Sequence, residues 1–115
     1  MPSAAAFDTD AALRALAHPR RRRMLQLVWS SECSAGVLAE ECGLSKPAAS
    51  QHLKVLRDAS LVEVRARGNR RLYRARVDQL TRLRGDLDSF WGQRLEVLHD
   101  VLVTDAQDDV EERSS

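Results

Sequence analysis

The glycine at position 43 places the tightest constraint on what this chain can fold into. It separates two short stretches, 34–42 and 45–59, whose apolar residues recur at helical spacing. A glycine just past a helix enters the left-handed region at little steric cost, so the first stretch can end in a tight turn. Ser45 then serves as the N-cap of the second. Two helices joined this closely must cross steeply. Leu38, Cys42, Leu44, Ala49, Leu53 and Leu56 supply their shared inner face, and Ala39 is small where the second helix presses on the first. Lys46, Ala48, Ser50, Gln51 and Lys54 are left facing outward on the second helix, with His52 near the edge.

The flanking elements follow from similar signals. A first helix is expected from Thr9, as N-cap, to Ala17. His18-Pro19 interrupts it, because the residue before a proline avoids the α region. Pro19 suits the first turn of a second helix over 19–29, whose apolar face is Met24, Leu25, Leu27 and Val28. The cations Arg20 to Arg23 at its start oppose the helix macrodipole, which hints at a phosphate partner beside the plainer reading of a solvated face. After position 59 the period changes to two. Val62, Val64 and Ala66 alternate with Glu63, Arg65 and Arg67, and Gly68-Asn69 offers a two-residue hairpin turn in which both residues tolerate positive φ. Arg71, Tyr73 and Ala75 alternate on the return. A long last helix is expected from about Asp78 to Val103, with Leu80, Leu83, Leu87, Trp91, Leu95, Leu98 and Leu102 along one side.

At 115 residues the chain is one domain, with a flexible N-terminus at 1–8, a folded body at 9–104 and a disordered acidic tail at 105–115. A hydrophobic content of 43% can build a core, but a small one that a dimer interface would help stabilise. No stretch reaches a membrane span, and the N-terminus lacks the basic-then-apolar order of a signal peptide, so a cytoplasmic protein is expected. A net charge of +1 hides an asymmetry. Residues 1–76 hold 14 Lys and Arg against 7 Asp and Glu, whereas residues 77–115 hold 4 against 10. A basic front of this kind suits a polyanion.

The outward residues of the second helix in the pair suit the major groove of DNA. Gln51 can pair with adenine, Ser50 with several base edges and Ala48 with a thymine methyl; Lys46 and Lys54 suit phosphate or guanine. The hairpin tip from Arg65 to Arg71 is too cationic for an ordinary turn and could reach flanking backbone or minor groove. The candidate DNA contacts are Arg21, Ser45, Lys46, Ala48, Ser50, Gln51, His52, Lys54, Arg67, Asn69, Arg70 and Arg71. A rival is a module of the same shape used for protein contact, which would need no cationic hairpin. Catalysis is not expected: there is no phosphate-binding glycine loop and no nucleophile elbow, and His18, His52 and His99 fall on different elements.

Three segments carry a resemblance to a known family: Leu16 to Arg23, Leu44 to Leu56, and Gly68 to Tyr73. Over roughly residues 9–103 the chain resembles the ArsR (arsenic-repressor-like) family of bacterial winged helix-turn-helix regulators. The resemblance implies a mainly α fold of the α+β class, with about five helices and a two-stranded β-hairpin wing. It also implies a homodimer through the first and last helices, double-stranded DNA as partner with a pseudo-palindromic operator, and repression controlled by a small effector. The dimer contacts would be Leu13, Leu16, Leu80, Leu83, Leu87, Trp91, Leu95 and Leu98.

Metal-sensing relatives place Cys-x-Cys on the third helix, where this chain has Ser34 and Gly36, with Cys33 one residue off. Others bind zinc on the last helix, and there Asp86, Asp88 and His99 match three ligand positions while Leu102 cannot donate the fourth. No metal or other cofactor is therefore expected, and the chain resembles the branch of the family without a metal site. If 34–42 is helical, Cys33 and Cys42 lie roughly 13 Å apart along it, too far for a disulfide. Cys42 then reads as core, and Cys33, near a helix N-terminus, as the thiol with some prospect of oxidation.

Overall fold

In the computed structural model, which describes residues 7–114, the elements run α1 (Thr9–Leu16), α2 (Pro19–Leu27), β1 (Cys33–Ser34), α3 (Ala35–Glu41), α4 (Lys46–Asp58), β2 (Val62–Arg67), β3 (Arg70–Ala75) and α5 (Val77–Ser114). Most of the expected flexible N-terminus, residues 1–6, lies outside the described residues, as does Ser115.

Each short helix starts on a residue that can accept a backbone N–H. Asp8 takes the N–H of Ala11 at 3.0 Å, so the cap of α1 is Asp8 and not Thr9. Ser34 and Ser45 accept from Val37 and Ala48 at 3.3 Å each. His18 caps α2 through Nδ1, which accepts from Arg20, and Pro19 follows at the first turn. Two helices end in the same device. After α3, Gly43 (φ +63°) lets its own N–H reach Glu40 O and the N–H of Leu44 reach Ala39 O at 2.8 Å. After α4 the equivalent residue is Ser60, with φ +64°. Its N–H bonds Arg57 O, and the N–H of Leu61 bonds Leu56 O, both at 2.9 Å. Leu56 and Leu61 are both fully buried, which supplies the apolar contact that accompanies this turn.

The sheet has three strands in the order β1-β3-β2, all antiparallel. The third strand, Cys33–Ser34, was not expected; two residues show no periodicity to read. It pairs Cys33 with Tyr73 and Ser34 with Leu72, which ties the hairpin to the residues that open α3. In the hairpin turn only Gly68 takes a positive φ, at +63°; Asn69 does not. Turns that place glycine first need this of one residue alone.

The chain divides into two compact units, one through Leu83 and one from Arg84 on. In the first, Met24 and Leu25 of α2 with its C-cap Val28, Leu38 of α3, Leu53 and Leu56 of α4, and Leu61, Val62 and Ala75 form the core. Ala12 and Ala15 are fully buried on α1. In the second, α5 exposes Phe90, Trp91, Leu95, Val97, Leu98, Val101, Leu102 and Val103. Its helix continues to Ser114, eleven residues past the expected end, so 105–114 is helical backbone where a disordered tail was expected. Among the described residues no helix is long and apolar enough to cross a membrane.

Ser60 holds a conformation in which a Cβ is unfavourable. Ser60→Gly is expected to raise the unfolding free energy by about 0.5–1 kcal/mol. A denaturant titration checks this; a lower midpoint would mean that the serine side chain contributes a contact of its own.

Candidate nucleic-acid interface

α4 presents the polar face that its periodicity implies. Leu53 and Leu56 are buried, while Lys46, Ser50, Gln51 and Lys54 are exposed and Ala48 is half-buried. Ser45 is exposed, with its hydroxyl held in the N-cap. Lys54 bonds Asp58 at 2.8 Å. Both partners are open to solvent, so the pair is worth only about 0.3–0.5 kcal/mol and a phosphate could replace the carboxylate.

The wing divides into a neutralised root and a cationic tip. Arg65 donates two bonds to Glu32, at 2.6 and 3.0 Å, and Glu63 faces Arg74 across the β2–β3 pair. The hydrogen bond from Arg65 holds the Glu32 carboxyl below its ordinary range. At the tip, Arg67, Asn69, Arg70 and Arg71 are exposed. Arg67 and Arg70 stand directly opposite one another in the register, an arrangement of like charges that costs the free hairpin energy. A phosphate between them would remove that cost. Glu32 is a contributor that sequence reasoning missed, for it lies 33 residues from Arg65 and no local pattern connects them.

Arg21 stands apart from the other candidates. Its guanidinium is part-buried and turned inward: Nε donates to Ala15 O at 2.6 Å, Nη2 to Arg14 O at 3.2 Å, and Nη1 lies 3.3 Å from His52 Nδ1. Arg22 donates to Leu16 O at 2.7 Å, and Arg20 reaches Cys42 O at 3.5 Å. Three of the four arginines thus meet carbonyls at the C-terminal ends of α1 and α3, where a cation also suits the helix dipole. The run needs no phosphate to explain it. His52 is likewise half-buried, its ring centroid 4.5 Å from that of His18. Burial pushes its pKa below the ordinary 6.5, and His18, Arg21 and Arg20 push the same way.

Among the residues expected at a dimer interface, Leu13 is exposed on α1 and Trp91, Leu95 and Leu98 on α5. Leu16, Leu80 and Leu87 are half-buried. Leu83 is only 4% exposed within its own chain, so it is a core residue, not an open one. Cys33 and Cys42 are free thiols; burial raises the Cys42 pKa. Among the described residues no three His, Cys, Asp or Glu side chains converge on a common point. Asp88 pairs with Arg84 at 3.9 Å and His99 with Asp100 at 3.8 Å.

A helix pair joined through the tight turn at Gly43, its second helix polar on the outside and followed by an arginine-tipped hairpin, defines a winged helix-turn-helix DNA-binding protein. Comparison with known proteins agrees. A helix-turn-helix domain model matches residues 16–65. The HTH-type transcriptional regulator Rv2034 of Mycobacterium tuberculosis is 43% identical over 86 residues, covering 75% of this chain and 80% of that protein. A crystal structure described as a possible transcriptional regulator for arsenical resistance is 42% identical, with a TM-score of 0.67 over 76% of this chain and 92% of that one. The homodimeric winged helix-turn-helix DNA-binding domain of a Mycobacterium bovis protein is 29% identical, with a TM-score of 0.60 over 75% and 80% of the two chains. The chain belongs to the ArsR family of winged helix-turn-helix transcriptional regulators, and it is a DNA-binding regulator, not an enzyme.

The lowered His52 pKa carries a sign. A histidine that resists protonation in the folded state contributes stability above its unfolded pKa of about 6.5, and that contribution is lost as pH falls through the lower folded value. The unfolding free energy is therefore expected to drop below pH 6.5 more steeply in the wild type than in His52→Gln. Denaturant titrations at pH 5 to 8 measure this, and parallel profiles would refute the assignment.

Proposed function

We propose that the protein is a homodimeric repressor that lays α4 in the major groove and the wing tip on flanking DNA. The observation that carries this reading is the opposed pair Arg67 and Arg70, joined by Arg71, on a hairpin whose other arginines face carboxylates. A hairpin built for protein contact gains nothing from that repulsion; one built to meet phosphate does. Gln51 and Ser50 read base edges, Lys46 and Lys54 steady the helix on the backbone, and Ala48 offers a methyl contact.

The second copy covers the apolar side of α5. Contiguous exposed apolar surface on this scale marks a partner surface, and Trp91, Leu95 and Leu98 recur along one side of the helix. Leu13 of α1 adds to the dimer contact, as the family resemblance implies. A two-fold dimer favours a pseudo-palindromic operator with half-sites one helical turn, ~34–36 Å, apart. The protein works in the cytoplasm, beside the DNA it controls, and a small effector sets its affinity. Asp86, Asp88 and His99 are not assigned to a metal.

The test is fluorescence anisotropy on a duplex selected from a random pool, against a scrambled control, over a range of salt. Gln51→Ala is expected to lower the preference between the two duplexes by about tenfold. Arg70→Ala or Arg71→Ala is expected to weaken both alike and reduce the log–log salt slope by about one. If Gln51→Ala leaves the preference intact, α4 is not the reading helix. Leu95→Glu is expected to give a monomer in sedimentation, with a folded first unit and much weaker operator binding; an intact dimer would exclude α5 as the interface.

A further inference from the structure

The inward turn of Arg21 has a use that neither the family fold nor the interface requires. Among the described residues its guanidinium holds both α1 and α4 to α2 by polar contacts at the same time. Two nitrogens bond the last carbonyls of α1, and the third lies on the His52 ring, which belongs to α4 itself. His52 sits on α4 directly after Gln51 and two residues after Ser50, so its placement sets how that end of the helix is presented. The contact is directional. Arg21 can only donate, so His52 Nδ1 must accept, which fixes the ring as the neutral Nε2–H tautomer. The His18 ring lies 4.5 Å away, tilted by 53°, and its own Nδ1 is engaged by the N–H of Arg20.

We propose that Arg21 is a positioning residue for sequence recognition: acting through His52, it sets the pose of α4 against α1 without touching DNA. This rests on the reading that α4 is the recognition helix. A planar fork with three fixed donors can hold two elements in register, whereas a lysine ammonium in the same place is a single flexible point. α1 carries Leu13 on its exposed side, so the same fork lies between a helix proposed for dimer contact and the helix proposed for reading.

The experiment compares wild type, Arg21→Lys and Arg21→Met on the selected and scrambled duplexes across a salt series. Active fractions come from stoichiometric titration, so that partial unfolding lowers neither measured affinity. Positioning predicts that both variants lose about tenfold in preference while the salt slope stays at the wild-type value. It also predicts that His52→Gln alone lowers preference and that adding Arg21→Lys to it has little further effect. A phosphate contact predicts the opposite pattern: Arg21→Lys behaves as wild type, and Arg21→Met weakens both duplexes equally with a slope smaller by about one. That pattern, or full preference in both variants, overturns the proposal while leaving the recognition helix in place. A wild type that selects no sequence at all overturns both. Thermal melts of each variant identify any that fail to fold, and Arg21→Lys, which keeps charge and stem length, is the variant on which the decision rests.

Discussion

Short helices end often, and each end leaves carbonyl oxygens without partners; how they are satisfied decides how the first unit is assembled. Four helices start and stop before residue 60. Two of them close on themselves, through the left-handed residues Gly43 and Ser60. α1 has no such residue: the N–H of Ala17 returns to Arg14 O at 3.3 Å, and Arg21 and Arg22 from the next helix add donors to Arg14, Ala15 and Leu16 O. The donors that satisfy α1 are therefore also the ones that orient it. Hydrophobic burial supplies the larger stabilisation here, but it is indifferent to small rotations of one helix on another. Hydrogen bonds from a rigid guanidinium are not.

Above that framework the charge is sorted by location. Arginines near the helix junctions face carbonyls, those at the root of the wing face Glu32 and Glu63, and those at the tip face solvent and each other. An unsorted basic surface would hold any polyanion with little regard to orientation. Exposed cations gathered at the hairpin tip and on the outer side of α4 give the electrostatic attraction a direction.

The fold was legible because its signals are local. Gly43, Ser45, Pro19 and Gly68 each fix a boundary through their own backbone chemistry, and the inner face of α4 follows from periodicity. What escaped was non-local or degenerate. The β1 strand has two residues and exists only because β3 passes beside it. Ser60 occupies a glycine position, and serine gives no sign of it. The charge run at Arg20 to Arg23 was ambiguous by nature: a cation bound to a carbonyl and one awaiting phosphate are the same letter in a sequence. Leu83 illustrates the limit of a stripe on a helix, since periodicity reports that a side is covered but not whether the same chain covers it. On α4 and the wing tip the candidate contacts emerged on open surface, with Ala48 and His52 half-buried; Arg21, counted on charge alone, did not.

The ion pair between Lys54 and Asp58 has a kinetic side. On the proposal that α4 meets DNA, the aspartate stands where a phosphate oxygen would, so the backbone of a duplex has to displace it before Lys54 engages. Exchange of one anion for another is close to neutral, and so this lysine adds little hold on arbitrary DNA. Carboxylates beside recognition cations in this way shorten the dwell time on the many wrong sites of a chromosome. A searching protein leaves those sites quickly and keeps its long residence for the few where base contacts are added.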